Sequence, residues 1–164
     1  MERNHSIRVW NMMVVAALLL SGCLGAGLQN ADNAFLAGDY AAALPDYQKA
    51  AAENDPAGLH SLGVLYAAGL GVAKDEAKAV DLYAKAADKG YAPALRDLGL
   101  RTLYGQGVPK DERQAALLLA RAVGKGDPQA ACALAELFQE GRVVPKDPEL
   151  AKLLFLSAEI AGVK

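Results

Sequence analysis

Few side chains in this sequence could do covalent or metal chemistry. The 164-residue chain has two cysteines, Cys23 and Cys132, and two histidines, His5 and His60. A thiolate is a nucleophile and a metal ligand, so the cysteines come first. Cys23 directly follows Ser21 and Gly22 at the end of an apolar run. Cys132 reads either as a small buried hydrophobe or as a thiol exposed to an oxidising compartment. A Cys23–Cys132 disulfide competes only if Cys23 is otherwise unmodified. His60 has only His5 for company, so no metal-binding set forms. Ser61 and Ser157 have no apparent His–Asp partners. Gly69/Gly71 and Gly105/Gly107 recur at one fixed interval and so end helices rather than cradle phosphate. The expectation is a protein that is not an enzyme, with no cofactor and no metal.

The run Met12–Leu20 follows a start carrying Arg3 and Arg8 and leads into small residues. This is the layout of a secretory signal over residues 1–22. Nine apolar residues rise only about 14 Å as a helix, whereas a bilayer core takes roughly 20 residues. The exit Leu20-Ser21-Gly22-Cys23 resembles the bacterial lipobox. That resemblance implies cleavage before Cys23 and a covalent lipid on it, the membrane anchor. With Leu24 and no aspartate after the cysteine, it also implies the outer membrane, facing the periplasm, if the host is Gram-negative. Residues 23–30 read as the lipidated cysteine and a tether, and 31–164 as the folded part.

The elements that must position everything else come from a repeat. Leu62-Gly63 returns as Leu98-Gly99 and Leu134-Ala135; Lys74-Asp75 returns as Lys110-Asp111 and Lys146-Asp147. Ala79, Leu82 and Ala86 return as Ala115, Leu118 and Ala122, then as Ala151, Leu154 and Ala158, always 36 residues on. The units are 54–89, 90–125 and 126–162, after a partial unit at 31–53. Within each, apolar residues at i, i+3, i+4 and i+7 predict helices. Asp75, Asp111 and Asp147 stand where N-caps belong, and glycines stand at the ends. Gly63 and Gly99 lie inside predicted helices, at a cost of about 1 kcal/mol each relative to alanine. With Ala135 at the third site, small size is the shared property, which predicts a close neighbouring helix.

The string L-G-x-x-Y-x-x-G-x-G-V-x-x-D, followed by K-A and Y-x-K-A-A, is similar to the Sel1-like repeat. Leu62, Gly63, Tyr66, Gly69, Gly71, Val72, Asp75, Lys78, Ala79, Tyr83, Lys85 and Ala86 carry it. The second unit departs at Thr102 and Leu119, and the third at Ala135, Phe138 and Val143. The resemblance implies an all-α, right-handed superhelical solenoid of about three and a half helical hairpins. Stacked hairpins make a concave surface lined by their first helices. The register of the related tetratricopeptide repeats places His60, Arg96, Leu100, Leu103, Tyr104, Glu136 and Gln139 there, the expected binding groove for a protein partner.

The ends differ. Pro45 should kink the second helix of the partial unit, and Asp46 replaces a packing leucine, as a capping unit would have it. Leu153 and Leu156 in the last helix could support self-association. Without residues 1–22 the formal charge moves from −2 to −3, which leaves no basic footprint for nucleic acid. The functional expectation is a lipid-anchored interaction scaffold in a bacterial envelope. The alternative is a protein that binds or hydrolyses the cell wall.

Overall fold

A computed structural model of the chain describes residues 28–141 and 146–163. The expected signal and Cys23 lie outside these residues. Helices α1 (Gln29–Leu36), α2 (Tyr40–Ala52), α3 (Pro56–Ala68) and α4 (Glu76–Asp88) form the first two hairpins. Helices α5 (Ala92–Tyr104), α6 (Glu112–Gly124), α7 (Pro128–Glu140) and α8 (Pro148–Ile160) form the next two. Each helix packs on its neighbours in sequence, and α5 also touches α7. The fold is a helical solenoid, with no strand among the described residues. None of the described helices is long and apolar enough to cross a membrane.

Local chemistry sets the boundaries. Asp39, Asp55, Asp75, Asp111, Asp127 and Asp147 each accept a hydrogen bond from the backbone N–H three residues on. Each thus satisfies a donor that the helix itself leaves open. Pro56, Pro128 and Pro148 begin their helices, where a missing N–H costs nothing. The first helices end at Gly69, Gly105 and Gly141, all left-handed. At Gly107 two demands coincide: φ is +73°, and a Cβ would lie 2.5 Å from the backbone oxygen of Glu76.

Small residues let the helices meet. Ala43, Ala79, Ala115 and Ala151, one per hairpin, are all buried, as are Ala50, Ala86, Ala122 and Ala158. A Cβ on Gly63 would sit 2.7 Å from Cε1 of Tyr83, the close approach that the sequence predicted. At Gly99 the corresponding neighbour is Leu119, whose Cγ would be 3.1 Å away.

Three expectations change. The first helix begins at Gln29 and Leu28 is buried, so the fold reaches into the expected 23–30 tether. Leu28 and Phe35 give this end an apolar anchor, which the polar letters around them hid. Helix α2 runs from Tyr40 to Ala52 straight through Pro45. Pro45 and Ala41 are exposed, so water can satisfy the carbonyl that loses its N–H donor. Leu153 lies on the outer face, in line with Asp81 and Leu117, which stay exposed inside the stack. A following hairpin would not cover it.

The two interior glycines should respond oppositely to alanine. Tyr83 is buried and ringed by contacts, so Gly63→Ala should destabilise by about 1–2 kcal/mol despite the helix-propensity gain. Leu119 can shift by the few tenths of an ångström required, so Gly99→Ala should be neutral or stabilising by up to about 1 kcal/mol. Urea denaturation of both variants measures the difference; equal losses at the two sites would contradict it.

Candidate functional site

The seven groove candidates separate by depth. His60 and Arg96 are 2% and 7% exposed, and Leu103 is 3% exposed. Leu100 is half-buried, whereas Tyr104, Glu136 and Gln139 are exposed. The trend runs along the stack. In α3 every residue from Ala57 to Leu65 is buried and Ala67 and Ala68 are half-buried, whereas in α7 their counterparts Glu136 (for Val64), Gln139 and Glu140 are exposed. These first-helix positions are therefore covered in α3 and reach solvent at Tyr104 in α5 and at Glu136 and Gln139 in α7. His60, Arg96 and Leu103 belong to the packing between hairpins and not to an open face.

Burial of His60 and Arg96 requires partners, and the structure supplies them in a chain. His60 Nε2 lies 2.9 Å from Asp97 Oδ2. Arg96 Nε donates to Asp97 Oδ1 at 3.0 Å, and its Nη1 donates to Asp127 Oδ2 at 2.8 Å. The other oxygen of Asp127 caps α7 by accepting from Ala130 N. One connected set of bonds thus spans α3, α5 and the first turn of α7. The His60 ring also packs between Tyr83 and Tyr91, each 5.5 Å away between centroids. Burial alone would raise the pKa of Asp97. The Arg96 guanidinium and the His60 bond outweigh it and hold the carboxyl well below the usual carboxylate range.

A second buried polar set ties in the first hairpin. Tyr47 Oη donates to Asp32 Oδ1 at 2.8 Å, linking α2 to α1. Ser61 in α3 is buried as well and acts on the Tyr47 hydroxyl. Burial here dominates and raises the Asp32 pKa.

Sequence reasoning missed Asp97, Asp127 and Arg101. Arg101 occupies the ladder position held by the buried Leu65 and Leu137. Its guanidinium carbon lies 5.5 Å from the Tyr83 ring centroid. The signal was present: a charge at a position that is leucine one repeat away on either side. Asp97 had a weaker one, since its counterparts are Ser61 and Ala133.

In the histidine–carboxylate pair His60 is buried and Asp97 half-buried, and Cys132 has its thiol pKa pushed up by burial and by Glu136. Among the described residues no group of three or more His, Cys, Asp or Glu could hold a metal ion. The accessible set is Leu100 and Tyr104 on α5 with Glu136 and Gln139 on α7, an apolar and aromatic patch with an acidic edge.

Comparison with known proteins places this geometry. The Sel1 repeat model matches three successive segments, residues 56–91, 92–127 and 128–162. A Sel1 repeat protein from Oxalobacter formigenes superposes with a TM-score of 0.76 at 28% identity, over 82% of this chain and 56% of that one. The protein c5321, a protective antigen present in uropathogenic Escherichia coli strains and displaying an SLR fold, gives 0.72 at 25% identity, over 84% of this chain and 30% of that one. Helicobacter pylori cysteine rich protein B gives 0.58 at 25% identity, over 76% and 92%. The chain thus spans less than two thirds of the first two relatives. No curated protein matches it.

The Asp97 chain predicts an acid dependence. A carboxyl whose folded pKa is lowered stabilises the fold above its unfolded pKa, near 4, and loses that contribution as pH falls below it. Asp97→Asn should cost about 2–4 kcal/mol near neutral pH, because Arg96 is left with a single carboxylate. It should also flatten the loss of stability between roughly pH 5 and pH 2. Asp32 works in the opposite sense, since its raised pKa removes stability as pH rises. Urea midpoints measured across that range test this; an unchanged pH slope in the Asp97→Asn chain would contradict it.

Proposed function

The chain belongs to the Sel1 repeat family, and from that premise we propose that it is a protein-interaction scaffold held at a bacterial membrane by a lipid on Cys23. Sel1 repeat proteins are generally protein-interaction scaffolds and typically not enzymes. The observation that carries the reading for this chain is the opening of the concave side. Tyr104 is 59% exposed, and Glu136 is presented to solvent at the position where α3 buries Val64. An exposed tyrosine beside Leu100 supplies contact area at low entropic cost, and tyrosine is enriched among binding anchors. Glu136 at the edge favours a partner segment carrying a basic residue next to an apolar one.

The anchor rests on the residues preceding the fold. Leu20-Ser21-Gly22-Cys23 has the lipobox pattern, and α1 starts only six residues after Cys23. A scaffold so tethered stands close to the membrane surface and gathers its partner there. That the E. coli relative is a protective antigen supports an extracytoplasmic setting for this kind of stack.

Two experiments test the two halves. Affinity capture from detergent-solubilised native membranes, comparing wild type with Tyr104→Ala/Glu136→Lys, should yield a stoichiometric protein that the variant loses. Equal recovery would move the site elsewhere, and binding to isolated cell-wall sacculi with no protein partner would replace the reading with cell-wall recognition. In fractionated cells, Cys23→Ser should shift the chain from membrane to soluble fraction; a chain still in the membrane pellet would remove the lipid anchor.

A further inference from the structure

One stripe of α5 reaches solvent: Asp97, Leu100, Arg101 and Tyr104, spaced i, i+3, i+4 and i+7. Asp97 is held by His60 and Arg96, and Leu100 and Tyr104 belong to the proposed recognition surface. Arg101 stands among them. Its rung is apolar in the hairpins on either side, where Leu65 is 0% and Leu137 2% exposed. Arg101 is half-buried, and its Nη1 is buried with no hydrogen-bond partner among the described residues.

The surroundings hold this guanidinium without neutralising it. Its central carbon lies 5.5 Å from the Tyr83 ring centroid, within cation–π range. Tyr83 is itself buried and packed on Gly63, so the ring is a fixed plate. The nearby carboxylates are engaged elsewhere. Asp97 Oδ1 accepts from Arg96, and Oδ2 lies 2.9 Å from His60 Nε2. Glu76, whose carboxyl feels the Arg101 charge, pairs with Lys74 at 2.6 Å. A charged donor left unpaired below the surface costs stability, and a leucine at this rung would not. A stack built for stability alone would carry leucine here, as the neighbouring repeats do.

We propose that Arg101 is the anion-recognition residue of the concave surface and binds a carboxylate of the partner segment that lies on Leu100 and Tyr104. The two coplanar oxygens of a carboxylate match the planar N–H fork of a guanidinium. The Tyr83 ring restrains that fork in advance, so less side-chain freedom is lost on binding. Arg101 on α5 and Glu136 on α7 then ask for an acidic group and a basic group in one segment, with apolar contact between them. This inference rests on the scaffold reading and names the chemistry its partner must carry.

Arg101→Leu separates recognition from folding. The full chain in detergent is titrated with acetyl-Leu-Glu-Leu-amide, with acetyl-Leu-Leu ending in a free carboxylate, and with acetyl-Leu-Gln-Leu-amide. The side-chain N–H resonance of Arg101 should shift saturably with one or both carboxylate probes and not with the glutamine probe. The first two probes distinguish an acidic side chain from a chain terminus. Arg101→Leu should weaken carboxylate binding roughly tenfold or more while holding or raising the urea midpoint. No saturable shift, equal binding of the glutamine probe, or a lowered midpoint with carboxylate binding unchanged would overturn the proposal. In the membrane capture, a partner retained by Arg101→Leu as well as by wild type would also overturn it, while leaving the scaffold reading in place. Capture of no partner would remove the scaffold reading, and the probe titration would still decide whether Arg101 holds a carboxylate.

Discussion

A carboxylate cannot be packed between helices unless cationic or donor groups are packed with it, and this constraint organises the centre of the molecule. Asp97 stands between His60 and Arg96, and Arg96 reaches on to Asp127. Four side chains from three hairpins satisfy one another, and none of the four can be removed without leaving a polar group unpaired in a region of low dielectric. Apolar stacking between alanine-rich helices would hold neighbouring hairpins together but would tolerate sliding. The directed bonds fix how the hairpins sit on one another, and with the capping bond at Ala130 they also fix where α7 begins.

The same constraint decides which of the first-helix positions are open to solvent. Two of the residues that repeat register alone would assign to a groove are occupied by the Asp97 chain, and a third, Leu103, is in the core. Exposure rises from α3 to α7: α3 is enclosed by the first hairpin on one side and α5 on the other, whereas among the described residues no hairpin follows that of α7. The proposed recognition surface is left to the later part of the stack, with Tyr104 and half-buried Leu100 on α5 and Glu136 and Gln139 on α7. A lipid at Cys23 would tether the opposite, closed end.

Much of this was legible in the sequence, because the repeat makes each inference three times over. The 36-residue period, the aspartate caps and the glycine ends translate directly into helix boundaries. Gly63 and Gly99 announced a close helix contact, and Tyr83 and Leu119 provide it. Depth was harder to read. A register says which side of a helix a residue faces, but not whether the next hairpin covers that side, and so His60 and Arg96 looked like groove residues. The start of α1 was hidden because its apolar contacts, Leu28 and Phe35, come from either side of a polar run. Arg101 and Asp97 show how the repeat could have been used further. A charge at a rung that is otherwise apolar or small points to a local polar partner.

Native-state hydrogen exchange tests most directly whether the Asp97 chain makes the hairpins one unit. The account predicts that amides of α3, α5 and the first turns of α7 share a common opening free energy and a common dependence on denaturant, because opening any one of them breaks the same set of bonds. If the first turns of α7 exchange through a separate, much cheaper opening while α3 and α5 remain protected, then Arg96–Asp127 does not couple the hairpins and the account of how this stack is held together is wrong.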